Sequence, residues 1–259
     1  MSSHPVLTEA TDGLLVVTIN RPEARNAING PVARGIRDAM QRLDSDPALR
    51  VAIITGAGGN FCAGMDLKAL AAGEDVMNEV VIEGFGFGGL AEASVRKPLI
   101  AAVEGFALAG GLEIALACDL IVAGSDARFG IPEVKRGLVA GGGALLRLPR
   151  QMPRRLAMEL ALTGSIMTAA TSLQYGLINR VVPAGNALAE AAVLARTIIE
   201  NAPLAVEASK AIIARSQDWP STSMFREQDA LMAPVLASQD VKEGASAFSQ
   251  KRQPVWLGK

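Results

Sequence analysis

The chain has 259 residues, 50% of them hydrophobic, a formal net charge of −1, two cysteines and a single histidine, His4. Such a length buries a large core, while the balanced charge offers nucleic acid no overall attracting field. One histidine near the N-terminus leaves no Ser-His-Asp or Cys-His apparatus and no histidine-based metal centre. Proton transfer then falls on Asp, Glu, Lys, Tyr175 or water.

In chain order, Met1 to Gly13 is polar and carries no apolar core of signal-peptide length. Short apolar, β-branched runs predict strands at Leu14–Asn20, Val51–Thr55, Leu99–Val103, Asp119–Ala123 and Leu177–Val182. Pro31–Leu43 opens with proline and places Val32, Ile36, Ala39, Met40 and Leu43 at helical spacing. Gly110–Cys118 and Arg154–Leu162 are also predicted helices. Strands alternating with helices, and apolar on both faces, indicate an α/β fold with mostly parallel strands.

Beyond Pro183 the strand signal stops. Helices are predicted at Asn186–Glu200, Ala205–Ser216, Ser223–Leu236 and Val241–Gln250. We divide the chain into an α/β core, residues 1–200, and a helical oligomerisation region, 201–259. Alanine-rich helices with no sheet to lie on commonly cover a partner subunit, so an oligomer is expected. The longest apolar stretch, Leu99–Gly124, is broken by Glu104, Glu113 and Asp119 and is no membrane span. A cytoplasmic protein is the expectation. Cys62 and Cys118 are expected to be small buried hydrophobes, with no disulfide framework.

Three glycine-rich segments offer chemistry. Gly84-Phe-Gly-Phe-Gly-Gly89 matches G-x-G-x-x-G, with Glu104 twenty residues after Gly84, where a ribose-binding acid would stand. That spacing is the case for a nucleotide-dependent oxidoreductase. Against it, the preceding Asn78–Glu83 makes a poor buried strand, and only Leu90–Lys97 is left for a helix. The second segment, Thr55-Gly-Ala-Gly-Gly-Asn-Phe-Cys-Ala-Gly-Met65, follows a strand and leads towards a helix. The third, Ala107-Leu-Ala-Gly-Gly111, opens the helix that carries Glu113. Two N–H groups from separate loops can converge on one oxygen and form an oxyanion hole. Glu113 is an acid in an otherwise apolar run, expensive to bury unless paired or useful. With Glu133, in Phe129-Gly-Ile-Pro-Glu133, it makes a candidate acid/base pair.

These residues resemble the enoyl-CoA hydratase/isomerase (crotonase) family. The blocks carrying the resemblance are Asn20–Ala27, Phe61–Leu67, Val103–Glu113, Phe129–Glu133, Leu162–Gly164 and Tyr175–Asn179, and they extend over nearly the whole chain. The resemblance implies a crotonase-like spiral of β-β-α units with a helical C-terminal trimerisation region, and a homotrimer or dimer of trimers. It implies an acyl-CoA thioester substrate, no cofactor beyond the CoA it carries, and reversible syn addition of water to a 2-enoyl-CoA. By motif match, the N–H groups of Met65 and Gly110 form the oxyanion hole, Glu113 and Glu133 are the acids, and Gly141 positions the water. Arg25, Ala63, Asp66 and Lys68 match the CoA-binding positions, and Phe248, Lys251 and Arg252 would come from a neighbouring subunit. Ala109 stands where the hydratases have a glycine, and Met65 where the family has a smaller residue. Isomerases of the family manage with one acid, at the Glu133 position. The Phe129–Leu148 block, with Val134-Lys-Arg-Gly137, is similar to members that dehydrate carnitinyl-CoA. Some relatives bind RNA, which a basic surface would favour and a net charge of −1 does not.

Overall fold

The computed structural model describes residues 4–73 and 75–259, so residues 1–3 of the polar N-terminal stretch lie outside it. The elements are β1 Val6–Thr11, β2 Leu14–Ile19, α1 Gly30–Ser45, β3 Val51–Gly56, α2 Leu67–Ala71, α3 Val76–Glu79, β4 Val81–Ile82, β5 Gly86–Phe87, β6 Leu99–Val103, β7 Phe106–Leu108 and α4 Gly110–Ala117. There follow β8 Leu120–Gly124, β9 Arg128–Gly130, a 3₁₀ turn Pro132–Arg136, α5 Ala144–Gln151, α6 Arg154–Thr163, β10 Ile166–Thr168, α7 Ala169–Gln174 and β11 Arg180–Val182. Four helices close the chain: α8 Ala187–Ile199, α9 Pro203–Ser216, α10 Met224–Leu236 and α11 Gln239–Gln250.

The main sheet has the order β1-β2-β3-β6-β8-β11, parallel except for the β1–β2 hairpin. β3 and β6 lie in its middle and are apolar and buried along almost their whole length. That is the residue pattern of a strand covered on both faces. One face packs under α1, whose Val32, Ile36, Met40 and Leu43 are fully buried. The other face carries Val51, Ile53, Ile100, Ala102 and Val122 and meets Ala187, Ala191 and Ala195 of α8. Alanine at every fourth position lets the helix axis approach the sheet closely. The first of the four C-terminal helices therefore does have a sheet to lie on, contrary to the expectation for the alanine-rich helices as a group.

A smaller sheet, β10-β9-β7, sits beside the first. Its strands have three residues each, too few to show a period. The β1–β2 hairpin turns through Asp12 and Gly13, with φ of 48° and 84°, the Asp-Gly signature of a type I′ turn. β1 is an edge strand with one side to solvent, so its apolar alternation is weak.

The helices beyond α8 are tied back at a few points. Lys210 Nζ lies 2.7 Å from Asp119 Oδ2, and Trp256 Nε1 donates to the Glu200 carbonyl at 2.7 Å. Asp240 is buried at the start of α11 and accepts the Leu257 and Gly258 amides at 2.7 and 2.9 Å. Phe225, Leu236 and Phe248 remain exposed on this region. No described helix is long and apolar enough to cross a membrane.

Candidate active site

Strand pairing builds the site. β7 runs into the Ala109 corner and α4, while β9 runs into Pro132–Arg136. The two strands lie parallel, Phe106 opposite Arg128 and Leu108 opposite Gly130. They therefore deliver Glu113 and Glu133 to the same end of the small sheet, twenty residues apart in sequence. The Phe61–Met65 segment joins on the other side. The Cys62 amide donates to the Phe106 carbonyl at 2.8 Å, and the Leu108 amide to the Cys62 carbonyl at 3.0 Å. A methyl group added at Gly64 would come within 2.8 Å of Ala109 Cβ and 3.4 Å of the Gly110 nitrogen. Gly64 has φ of 102°, which only glycine adopts readily, so the Met65 loop and the Gly110 corner touch because of it.

Gly110 is the first residue of α4, where amides have no intrahelical acceptor. Among the described residues neither its N–H nor that of Met65 has a backbone or side-chain acceptor. Met65 is held on both sides, by Ile28 N to Gly64 O at 2.8 Å and by Asp66 N to Ile28 O at 2.9 Å. Phe87 of the β4–β5 hairpin lies against Gly110, so close that a methyl group there would overlap its ring.

The corner residue Ala109 has φ 52° and ψ −128°. It is pinned there by its amide on the Gly130 carbonyl at 2.8 Å and its carbonyl on the Glu113 amide at 3.1 Å. A side chain in this region costs about 1–3 kcal/mol, against about 0.4–1 kcal/mol for the extra unfolded-state freedom of glycine. Ala109→Gly is therefore expected to stabilise the protein by about 1 kcal/mol with activity kept. The urea midpoint checks it, and a lower midpoint would place the strain elsewhere.

Glu113 is 3% exposed and its Oε1 accepts the Ala144 amide at 3.1 Å. A methyl group added at Gly142 would come within 2.6 Å of Glu113 Oε2. Burial pushes the Glu113 carboxyl above its ordinary range, while the Ala144 and Gly142 amides and the Arg147 guanidinium pull the other way. Glu133 is pushed up to about 7, first by burial and further by the charge of Glu113. Among the described residues its buried Oε2 has no hydrogen-bond partner. A buried, unpartnered carboxylate oxygen is costly, and protonation or a ligand relieves it. Two acids whose proton affinity is raised by burial, on one end of the small sheet, make this the candidate site.

The other predicted residues divide. Arg25 and Ala63 come together, the Ala63 amide donating to the Arg25 carbonyl at 3.0 Å, and the exposed Arg25 guanidinium lies 5.7 Å from the Phe106 ring centre. Asp66 caps α2 through the Ala69 amide and pairs with Arg21 at 3.0 Å. Burial pushes its carboxyl up, but the Arg21 and Ala69 hydrogen bonds and the Arg21 charge outweigh burial and hold it low. Asp66 is thus engaged within the loop. Lys68 is exposed on α2. Gly141 stands on the exposed side of its turn, one residue before the Gly142 that abuts Glu113. Phe248, 88% exposed, and Lys251 lie on α11 and at its end, and Arg252 pairs with Glu243 at 2.6 Å.

Sequence reasoning missed two residues. Phe87 is hidden in the Gly84–Gly89 run, whose G-x-G-x-x-G form draws attention to phosphate. The structure gives that run a two-residue strand and no following helix, and gives Glu104 to the α8 N-terminus, where it accepts the Ala187 amide at 2.8 Å. The nucleotide reading fails on both counts. Arg147 is the other, half-buried on α5, which itself was not predicted. Burial pushes the Cys62 thiol up to about 12 and raises that of Cys118 too; both are free and buried.

A mostly parallel six-stranded sheet, a small second sheet and a helical C-terminal region make up an α/β architecture of the crotonase fold. A profile of the enoyl-CoA hydratase/isomerase family matches residues 9–259, and the chain belongs to that family. It is similar to a crystal structure of enoyl-CoA hydratase from Mycobacterium tuberculosis, with TM-score 0.95, 56% identity and coverage of 99% of this chain and 100% of that one. It is 44% identical over 258 residues to enoyl-CoA hydratase EchA19 of M. tuberculosis, covering 98% of this chain and 96% of that protein. It is also 40% identical over 252 residues to the carnitinyl-CoA dehydratase of Salmonella enteritidis, covering 95% of each.

Proposed function

We propose that this protein is an enoyl-CoA hydratase, a hydro-lyase that adds water reversibly to a 2-enoyl-CoA and gives the 3-hydroxyacyl-CoA. The observation that carries it is Glu133: a carboxyl lifted to about 7, with an unpartnered buried oxygen, feeling the charge of Glu113. Two carboxyls raised by burial, one of which feels the other's charge, do not ionise together easily, so the pair keeps one proton near neutrality.

In the proposed reaction the thioester oxygen lies between the Met65 and Gly110 amides. Their partial positive charge, with that of the α4 N-terminus, polarises the conjugated double bond. A water held by Glu113 and Glu133, with Gly141 as a further donor, loses a proton to Glu113 as its oxygen bonds the β-carbon. The π-electrons move to the enolate oxygen. Glu133 gives its proton to the α-carbon as the enolate collapses, and proton exchange through the next water resets the pair. Dehydration is the reverse. No group beyond the CoA of the substrate is called on.

Arg25, Ala63, Asp66 and Lys68 are the proposed CoA-side contacts, with Asp66 acting through its hold on the loop and on Arg21. In a trimer, or a dimer of trimers, the exposed α11 residues Phe248 and Lys251 would reach a neighbour's site; residues 201–259 are the proposed assembly region. Two free, buried thiols fit a reducing cytoplasm.

Purified protein mixed with crotonyl-CoA is expected to lose the absorbance of the conjugated thioester, with a 3-hydroxyacyl-CoA as the product by mass. Two carboxyls favour this over double-bond isomerisation, for which one suffices. The 40% identity to a carnitinyl-CoA dehydratase supports the alternative, dehydration of a more substituted acyl group. Turnover of carnitinyl-CoA with none of crotonyl-CoA would replace the first reading by the second.

A further inference from the structure

The half-buried Arg147 stands behind Glu113 on α5. Its Nη2 donates to the Ala91 carbonyl, and its Nη1 makes a longer contact, 3.4 Å, with the Gly142 carbonyl. Gly142 lies in the short turn just before Ala144, whose amide holds Glu113 Oε1. Ala91 lies just beyond the β5 segment that places Phe87 over Gly110. One guanidinium thus links the turn beneath the first acid to the segment covering the oxyanion corner. Arginine suits this task because its planar fork reaches two carbonyls at once and keeps its charge.

Among the described residues Arg147 has no carboxylate within ion-pair distance. A half-buried cation spent on two carbonyls leaves its field available to what lies beyond them. The groups that feel it are Glu113 on α4, Cys118 at the end of α4, and Glu92 after the β5 segment. Cys118 is a buried, protonated thiol. Glu113 feels the charge of Arg147, and Glu133 of the 3₁₀ turn feels the charge of Glu113. Arg147 favours the ionised form of Glu113, and the ionised Glu113 in turn favours the protonated form of Glu133.

Resting on the hydratase reading, we propose that Arg147 is a positioning residue for the reaction: it fixes the Gly142–Ala144 turn under Glu113 and assigns the pair's negative charge to Glu113, leaving the proton on Glu133. The division between base and acid is then set from outside the pair. The pair's own contacts alone would leave it less sharply divided.

The test uses the full-length protein, Arg147→Gln and Arg147→Lys, with crotonyl-CoA. In Arg147→Gln, kcat is expected to fall about 10–100-fold, as when a reacting group is misplaced, with KM within about threefold of wild type because no substrate contact is lost. The acid limb of the kcat–pH profile should move to higher pH, since Glu113 binds its proton more tightly without the cation. Arg147→Lys keeps the charge and loses the fork. Its acid limb should stay at the wild-type position while kcat stays at least about threefold below wild type. Wild-type kcat and an unmoved acid limb in Arg147→Gln would overturn the proposal. So would an Arg147→Lys profile that coincides with that of Arg147→Gln. If Arg147→Gln does not fold, Arg147→Lys decides alone: lowered kcat with the limb in place supports the role, and wild-type kcat refutes it. An inactive wild type would instead refute the hydratase reading.

Discussion

Glu133→Gln and Glu113→Gln will each lower kcat for hydration of a short 2-enoyl-CoA by about 10²–10⁴-fold, the range a positioned acid or base supplies. Glutamine keeps the size and the accepting oxygen of glutamate but gives up the titrating proton. The two losses arise differently. At position 133 the acid for the α-carbon disappears, and the enolate held at the amide corner can only revert or await a proton from water. At position 113 the base for the water disappears, and the Gly142–Ala144 turn faces a neutral side chain. In the proposed reaction both groups act on one water, so the double variant should be scarcely worse than the worse single one, as for groups that work as a unit. Multiplicative losses would show that they do not share a water. Full activity in either single variant would remove that residue from the mechanism.

The wild-type pH profile follows from the same pair. Glu133 must carry its proton to act as the acid, and its affinity is lifted to about 7. kcat/KM, which reports the free enzyme, should therefore fall as pH rises through about 7. Glu113 must be ionised to act as the base. Its acid limb should lie above the usual carboxylate range, because burial raises it. In Glu133→Gln the alkaline limb should vanish with the group. A limb that persists there would have to belong to another residue.

Much of the candidate site is legible in the sequence, because the groups proposed for it stand in local motifs. Gly110 and Glu113 share one helix start, and Met65 follows a strand and a glycine turn. What the sequence does not give is their convergence. It depends on β7 and β9 lying parallel, and three-residue strands carry no readable period. β1 was readable in principle from Asp12-Gly13, but its strand is an edge with few inward apolar residues. Phe87 and Arg147 are unreadable for another reason. Their meaning lies in contacts with Gly110, Gly142 and Ala91, far from them in sequence or on another element, and an arginine in an amphipathic helix reads as a solvated face. Lys97 shows the same limit. It is buried, with Nζ donating to the Leu43 and Asp46 carbonyls at 2.7 Å each, and it closes the end of α1 where a surface cation would be expected.

Gly111→Ala tests the convergence itself. Gly111 has no positive φ, so alanine is conformationally acceptable at this helical position, and would even favour the helix by about 1 kcal/mol elsewhere. Here its methyl group would overlap the Cys62 carbonyl, which is backbone and accepts the Leu108 amide at 3.0 Å. Neither side can yield alone, because Cys62 is paired with β7 and α4 begins one residue beyond the β7 corner. The helix start must back away from the Phe61–Met65 segment. Overpacking of this kind costs about 1–3 kcal/mol, so the urea midpoint should fall. The larger effect is on catalysis. The Gly110 amide rides on the displaced helix while the Met65 amide stays with its loop, so the proposed oxyanion hole opens. Loss of one oxyanion donor lowers kcat by about 10²–10³-fold, and kcat for crotonyl-CoA should fall by that amount at temperatures where the variant is fully folded. The loss should lie in kcat more than in KM, because the amides bind the enolate more tightly than the ground-state thioester. A folded Gly111→Ala enzyme with wild-type kcat would mean that the Met65 and Gly110 amides do not act together. The carboxyl pair would then be working beside some other electrophile.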